Sequence, residues 1–279
     1  MNTLWVLGAP DPEMQTIEAL LTAHGQAIAY ACTREGSRVM PGSAYRATHA
    51  VDPQGQPVPL DEHSVAFVEC DVPGVPAAVR VDHHRPGDPG YGRPPAEYWE
   101  ASSLGQVAAA LGVAPTPTLR MVAAADHCLP AAYCGECPGV DPGALMVWRI
   151  ETRAAFQGRP AEAILADVAR ARTLLAAAPR ITLGGVAVAD LRVAERTQHI
   201  PELPEAAVRE GLCFVAASRD RATGREKIVL QGAPPAAVQE FLARAREFGA
   251  GEAYGDPARG FAGVHRDPAP VIEPPLLGR

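Results

Sequence analysis

Lysine is almost missing from this 279-residue chain: Lys227 stands alone against 24 arginines. We read that imbalance as the mark of a GC-rich genome, not of function. Positive charge as a whole is short, and the net charge is −7. That excludes a protein that coats duplex nucleic acid through a basic surface, but not one that holds a small phosphorylated ligand at a metal. No apolar run approaches the roughly 18 residues of a membrane helix. Residues Met1–Val6 carry neither a basic segment nor a long apolar one, so a secretory signal is not expected and the chain is assigned to the cytoplasm. There is no Gly-x-x-x-x-Gly-Lys phosphate loop, no dinucleotide fingerprint and no internal repeat. The six cysteines (Cys32, Cys70, Cys128, Cys134, Cys137, Cys213) are expected to be reduced thiols, because a disulfide framework does not suit a chain this long.

Proline and glycine are what the chain has in excess, 28 and 26 residues. Together they make about 19% against an average near 12%, so long ordered loops are expected. A composition of 47% hydrophobic and 20% charged is globular, and the length suits one large domain or two modest ones.

Thr3 to Gly8 reads as a buried strand. Asp11-Pro12-Glu13 then opens a helix with a capping acid, a proline at its first position and a second acid in the first turn. Further strands are expected at Ala27–Cys32, Ser64–Cys70 and Ala78–Val81, and helices at about 96–112, 117–127, 142–156 and 160–178. Strand and helix signals alternate, which predicts an α/β fold whose N-terminal domain is built on a parallel sheet. Beyond residue 180 the texture changes. Ile181–Val193, Leu212–Ser218 and Glu226–Leu230 alternate as strands, a helix covers about 234–247, and a glycine-rich tail follows. The expected division is 1–140 as a metal-binding catalytic domain, 141–180 as a helical connector, and 181–279 as a smaller α+β substrate-binding domain.

Asp82-His83-His84 is the sharpest local signal. In a chain with 13 Asp and 8 His, random order gives only about 0.01 such tripeptides. Imidazole and carboxylate are the usual ligands of Mn, Fe and Zn, and ligands in α/β sheets sit beyond the carboxyl ends of strands. The plain alternative is a capped turn with two exposed histidines. Acids also end other apolar runs: Asp11 with Glu13 after the first, Asp71 after a later one. Asp126-His127 closes an alanine-rich helix, and Ala101-Ser102-Ser103-Leu104 starts another.

This order resembles the DHH phosphoesterase family over residues 1 to about 135. The resemblance implies two divalent metals, Mn²⁺, bridged by Asp71. His83 and Asp126 would ligate one, Asp11 the other, with Glu13 in the place of a second aspartate. His84, with Asp82, would form the catalytic pair, His84 contacting the scissile phosphate or the leaving oxygen. Leu7 stands where many members carry a histidine, and Glu13 is one methylene longer than aspartate, so one or two ions per chain are expected. The C-terminal part is similar to the family's substrate-binding domain, with a glycine-rich loop in which Arg259, Gly263, His265 and Arg266 would hold a phosphate. The implied activity is hydrolysis of a small phosphorylated substrate: a short single-stranded oligonucleotide, a cyclic dinucleotide or a nucleotide phosphate. The implied partner is that substrate and no membrane, with a homodimer left open. The competing reading is a non-catalytic, nucleotide-binding regulatory protein on the same scaffold.

Other features carry less. Cys134-x-x-Cys137, with Cys128 and His127 upstream, has part of a structural zinc site. Adjacent His127 and Cys128 can hardly reach one ion, however, and no second pair exists, so buried or incidental thiols are the expectation. Tyr91, Tyr98 and Trp99 could stack on a base but are expected to be packed. His24, His49, His63 and His199 read as isolated. Arg219, Arg221, Arg225 and Lys227 read as a solvated hairpin turn.

Overall fold

In β1 (Thr3–Leu7) the side chains alternate between two cores. Trp5 and Leu7 join one apolar cluster, Leu4 and Val6 another. A strand with both faces covered is the buried kind that parallel sheets use. The computed structural model describes residues 3–192, 202–219, 226–249, 251, 253–257 and 260–265, and the chain divides into two compact units after Thr152.

In the first unit β1 leads into α1 (Pro12–Ala23), β2 (Ala27–Cys32), β3 (His49–Val51), β4 (Ser64–Val68) and β5 (Val79–Val81). The sheet order is β3-β2-β1-β4-β5. Strands β2, β1, β4 and β5 are parallel, and β3 is added antiparallel at the edge. The sheet is therefore mixed, with a parallel centre. The chain then runs through α2 (Tyr98–Ala101), α3 (Ser103–Leu111), α4 (Pro117–His127), α5 (Leu129–Tyr133) and α6 (Pro142–Gln157). Met14, Ile17 and Leu21 of α1, Leu104 and Val107 of α3 and Val122 to Ala125 of α4 cover one face of the sheet. Val39, Ala44, Ala47 and Leu60, from the segments between β2 and β4, cover the other. Strand order reverses between β1 and β4, and that switch point is where open α/β sheets place their ligands.

The expected helix over 96–112 is broken. Ser102 leaves the helical region at φ −63°, ψ 151° and caps α3 by accepting a hydrogen bond from the Gly105 N–H at 3.0 Å. A serine that can cap competes with continuing the helix.

The second unit starts within α6 and continues with α7 (Ala161–Ala177), so the division falls inside the stretch 141–180 expected as a helical connector. It contains β6 (Arg180–Leu183), β7 (Val186–Asp190), α8 (Leu203–Arg209), β8 (Phe214–Arg219), β9 (Glu226–Gln231), α9 (Pro235–Ala243), α10 (Ala245–Phe248), β10 (Ala253–Asp256) and β11 (Phe261–His265). The sheet order is β10-β11-β9-β8-β7-β6, antiparallel except between β7 and β8. Val238, Phe241 and Phe248 close its core. Among the described residues no helix is long and apolar enough to cross a membrane.

Candidate metal centre

Three strand ends and one helix end deliver the site. Beyond β1, the Gly8 N–H donates to the Val68 carbonyl at 3.0 Å. A Cβ on Gly8 would lie 2.5 Å from the Glu69 carbonyl oxygen, so only glycine permits this approach. Asp11 then caps α1, its Oδ1 accepting from the Met14 N–H at 2.7 Å. Glu13, in the first turn, is 1% exposed, and its Oε1 accepts from the Leu104 N–H at 3.0 Å.

Beyond β4, Glu69 takes φ +50°, the left-handed conformation that no other described non-glycine residue adopts. Such backbone persists only where its surroundings hold it, and it gathers at functional sites. Here the Glu69 N–H donates to the Val81 carbonyl at 3.0 Å. The Glu69 Oε1 comes within 3.7 Å of His83 Nδ1 and 3.9 Å of His84 Nδ1.

Beyond β5, Asp82 is fully buried. Its Oδ1 accepts from the N–H groups of His83 and His84 at 2.8 and 3.0 Å and lies 3.1 Å from His84 Nδ1. The Tyr45 hydroxyl donates to Oδ2 at 3.0 Å, and the Gln106 amide donates to the Asp82 carbonyl at 3.1 Å. With its oxygens so occupied, Asp82 positions the two histidines. The His83 and His84 rings stack at 4.2 Å, and His127 meets His83 edge-on at 5.0 Å. Asp126, near the end of α4, places Oδ2 3.2 Å from His83 Nε2, and its side chain is 27% exposed, so the cluster is open on that side.

Glu69, His83, His84 and Asp126 each offer one ligand atom, all within 4.8 Å of one another. The group could hold a metal ion. The electrostatics agree. Burial and the nearby Asp126 charge push Asp11 up to about 6. Burial, then Asp126, raise Glu69 to about 7, and burial with Asp126 and Glu69 holds Glu13 well above its usual range. Burial opposes charge on His84, but its bond to Asp82 and the charges of Glu69 and Asp126 outweigh that and lift it to about 9. Burial likewise opposes charge on Asp126, where His83 and His84 prevail and hold it below its usual range. The Glu13 Oε2 and Glu69 Oε1 are buried and accept no hydrogen bond. Carboxylates crowded and unsatisfied in this way fit a bound cation, which would relieve both the repulsion and the missing donors.

The expected site residues are therefore distributed unevenly. His83, His84 and Asp126 fall in the ligand group, Asp82 holds both histidines, and Asp11 and Glu13 stand close enough that the Asp126 charge adds to burial in raising them. Asp71, the expected bridging ligand, is not among them: its Oδ2 lies 3.5 Å from Arg80 Nη2, and its N–H and carbonyl pair with Ala44 and Ala47. The acid that reaches the cluster is Glu69, two residues earlier. It directly follows the last residue of β4, as Asp82 directly follows β5, and that adjacency is the signal that distinguishes it. Ser103 Oγ lies 3.4 Å from His83 Nδ1, so the Ser102-Ser103-Leu104 segment touches the cluster twice. Tyr98 is buried, donating to the Pro138 carbonyl at 3.0 Å, and is part of the core.

In the second unit Gly263 and His265 lie in β11 and not in a glycine loop. Gly263 is there because the Tyr254 ring lies over it, 2.4 Å from where a Cβ would sit. His265 carries a buried Nδ1 without a hydrogen bond. Arg259, Arg266, His199, Arg221 and Arg225 lie outside the described residues. Among the described residues no third ligand atom joins Cys128 and Cys137, so the geometry offers no zinc site there. No model of a known protein family matches the chain, and no curated protein matches it.

Proposed function

We propose that the protein is a metal-dependent phosphoesterase of the DHH type, acting on a short oligonucleotide, a cyclic dinucleotide or a nucleotide phosphate. The observation that carries this reading is the convergence of Glu69, His83 and His84, from the ends of β4 and β5, with Asp126 from the end of α4. Beside them stand Asp11 and Glu13, whose carboxyls burial and the Asp126 charge raise, and Glu13 Oε2 and Glu69 Oε1 are left without donors. Glu69, His83 and Asp126 would hold a divalent ion, with Asp11 and Glu13 toward a second. Mixed carboxylate and imidazole ligands suit Mn²⁺. Such ions, when bound, acidify water and neutralise phosphoryl oxygens. His84, held by Asp82 through Nδ1, would donate to the phosphate or to the leaving oxygen. Asp82 fixes both histidines through their backbone N–H groups.

One observation favours the non-catalytic reading. Leu7 is fully buried in the apolar core, and Glu13 already gives one oxygen to Leu104, so one side of the centre has fewer free ligands. The test is hydrolysis by metal-stripped protein after Mn²⁺ is restored, over a labelled dinucleotide, a cyclic dinucleotide, a nucleoside bisphosphate and pyrophosphate. Manganese-dependent turnover of one, reduced about 10²–10⁴-fold in His84→Ala and lost in His83→Ala, is expected. Tight nucleotide binding with no turnover would establish the regulatory reading instead.

A further inference from the structure

The thiols outside the metal centre are not alike. Cys32, Cys70 and Cys213 each lie by a backbone carbonyl, those of Tyr30, Val6 and Ala187, at 3.5, 3.3 and 3.7 Å. Cys128 and Cys137 instead meet each other, Sγ to Sγ at 3.1 Å, across nine residues of chain. Both are free thiols. Cys128 is the residue on which α4 ends and α5 begins. Gly135, at φ +76°, turns the chain back after α5, and the Tyr98 hydroxyl fixes the following loop through Pro138. Neither sulfur is brought near by an exposed, loosely held segment: Cys137 is 2% exposed and part of the same core as Val122 to Ala125.

We propose that Cys128 and Cys137 are a reversible disulfide site at the foot of the helix that carries Asp126 and His127. The sulfurs need to close by only about 1 Å to reach the 2.03–2.05 Å of a disulfide. The oxidant is a small-molecule disulfide of the glutathione class. Of the two sulfurs, that of half-buried Cys128 is the more accessible to such a reagent, since Cys137 is buried. Its sulfur attacks the reagent, forming a mixed disulfide and releasing one small thiol. Cys137 then attacks the Cys128 sulfur, forming the protein disulfide and releasing the second small thiol. Two protein thiols are oxidised, one small disulfide is reduced, and the two protons leave with the two released thiols. Exposed Cys134 is not required.

The test is incubation of the native full-length protein with glutathione disulfide, then intact mass and peptide mapping without reduction. The expected result is a loss of two hydrogen masses, a linked Cys128–Cys137 peptide pair, and full reversal by excess reduced glutathione. Cys134→Ser should behave as the wild type, and Cys128→Ser should lose the mass change. The wild-type map needs no variant, so a poorly folding Cys137→Ser does not matter. A Cys134–Cys137 link, a stable single glutathione adduct, or two thiols that stay free would each overturn the proposal.

Discussion

Glu69 and Asp71 stand two residues apart, where an extended chain would put both on one side, and periodicity cannot choose between them. Backbone chemistry does. Glu69 turns left-handed at the end of β4 and joins the cluster, whereas Asp71 is engaged by Arg80 and by Ala44 and Ala47. The Asp82-His83-His84 triplet is legible because three metal-ligating side chains in a row have few other uses. The supports are not: Tyr45, 37 positions from Asp82, and Gln106, 24 positions away, meet it only through the fold. Partners of this kind orient ligands and are typically worth 10–100-fold in metal affinity. Tyr45→Phe should therefore weaken Mn²⁺ binding by about 10–100-fold, measured by calorimetry, and unchanged affinity would show that the Tyr45 hydroxyl does not support the site. In the metal-free protein, His84 should titrate near 9 by NMR and markedly lower in Asp82→Asn, which loses the charge that holds it up. An unshifted titration would mean that other groups set it.

At the scale of elements, the apolar runs that became β1, β2, β4 and β5 could be read directly, as could α1 with its Asp11 cap. Losses came where glycine or proline carries a structural meaning that local pattern hides. Ile181–Val193 reads as one alternating strand, but Gly184 and Gly185 both adopt positive φ and fold it into the β6–β7 hairpin. Helix α8 is only 7 residues long and opens on Leu203-Pro204, too short for periodicity. The glycine-rich tail reads as a loop, yet pairing with β9 makes Phe261–His265 a strand. Gly90 is a further case, near the site. A Cβ there would lie 1.8 Å from the Ala101 carbonyl oxygen and 2.7 Å from the His83 Cβ. Gly90→Ala should cost about 1–3 kcal/mol, read as a lower melting temperature, and should weaken Mn²⁺ binding by displacing His83. A full-affinity Gly90→Ala protein would show that the loop yields without moving the ligand.

For the whole molecule, the site links stability to pH. The folded metal-free protein holds protons on Asp11 up to about 6 and on Glu69 up to about 7, above the usual 3.8 and 4.5. His84 holds its proton to about 9 against the usual 6.5. In each case the folded chain binds more protons than the unfolded one, so stability falls as pH rises. Asp82 and Asp126, held low, work in the opposite sense, but only below about pH 4, and His127, lowered by burial and by His83, opposes the trend only up to its usual value near 6.5. The metal-free protein should therefore melt at progressively lower temperature from pH 5 to pH 9. Saturating Mn²⁺, at about 100 times its dissociation constant, should restore about 2.7 kcal/mol, and this gain should shrink below pH 7 as protons compete. A metal-free melting temperature that climbs from pH 5 to pH 9 would contradict the crowded-carboxylate account.

Manganese content at equilibrium, measured side by side on the wild type, Glu69→Gln and Asp71→Asn, tests the metal centre most directly. The wild type and Asp71→Asn should each carry at least one ion per chain, and Glu69→Gln should lose that ion. A wild type that retains no ion, or a Glu69→Gln protein that retains as much as the wild type, would contradict it.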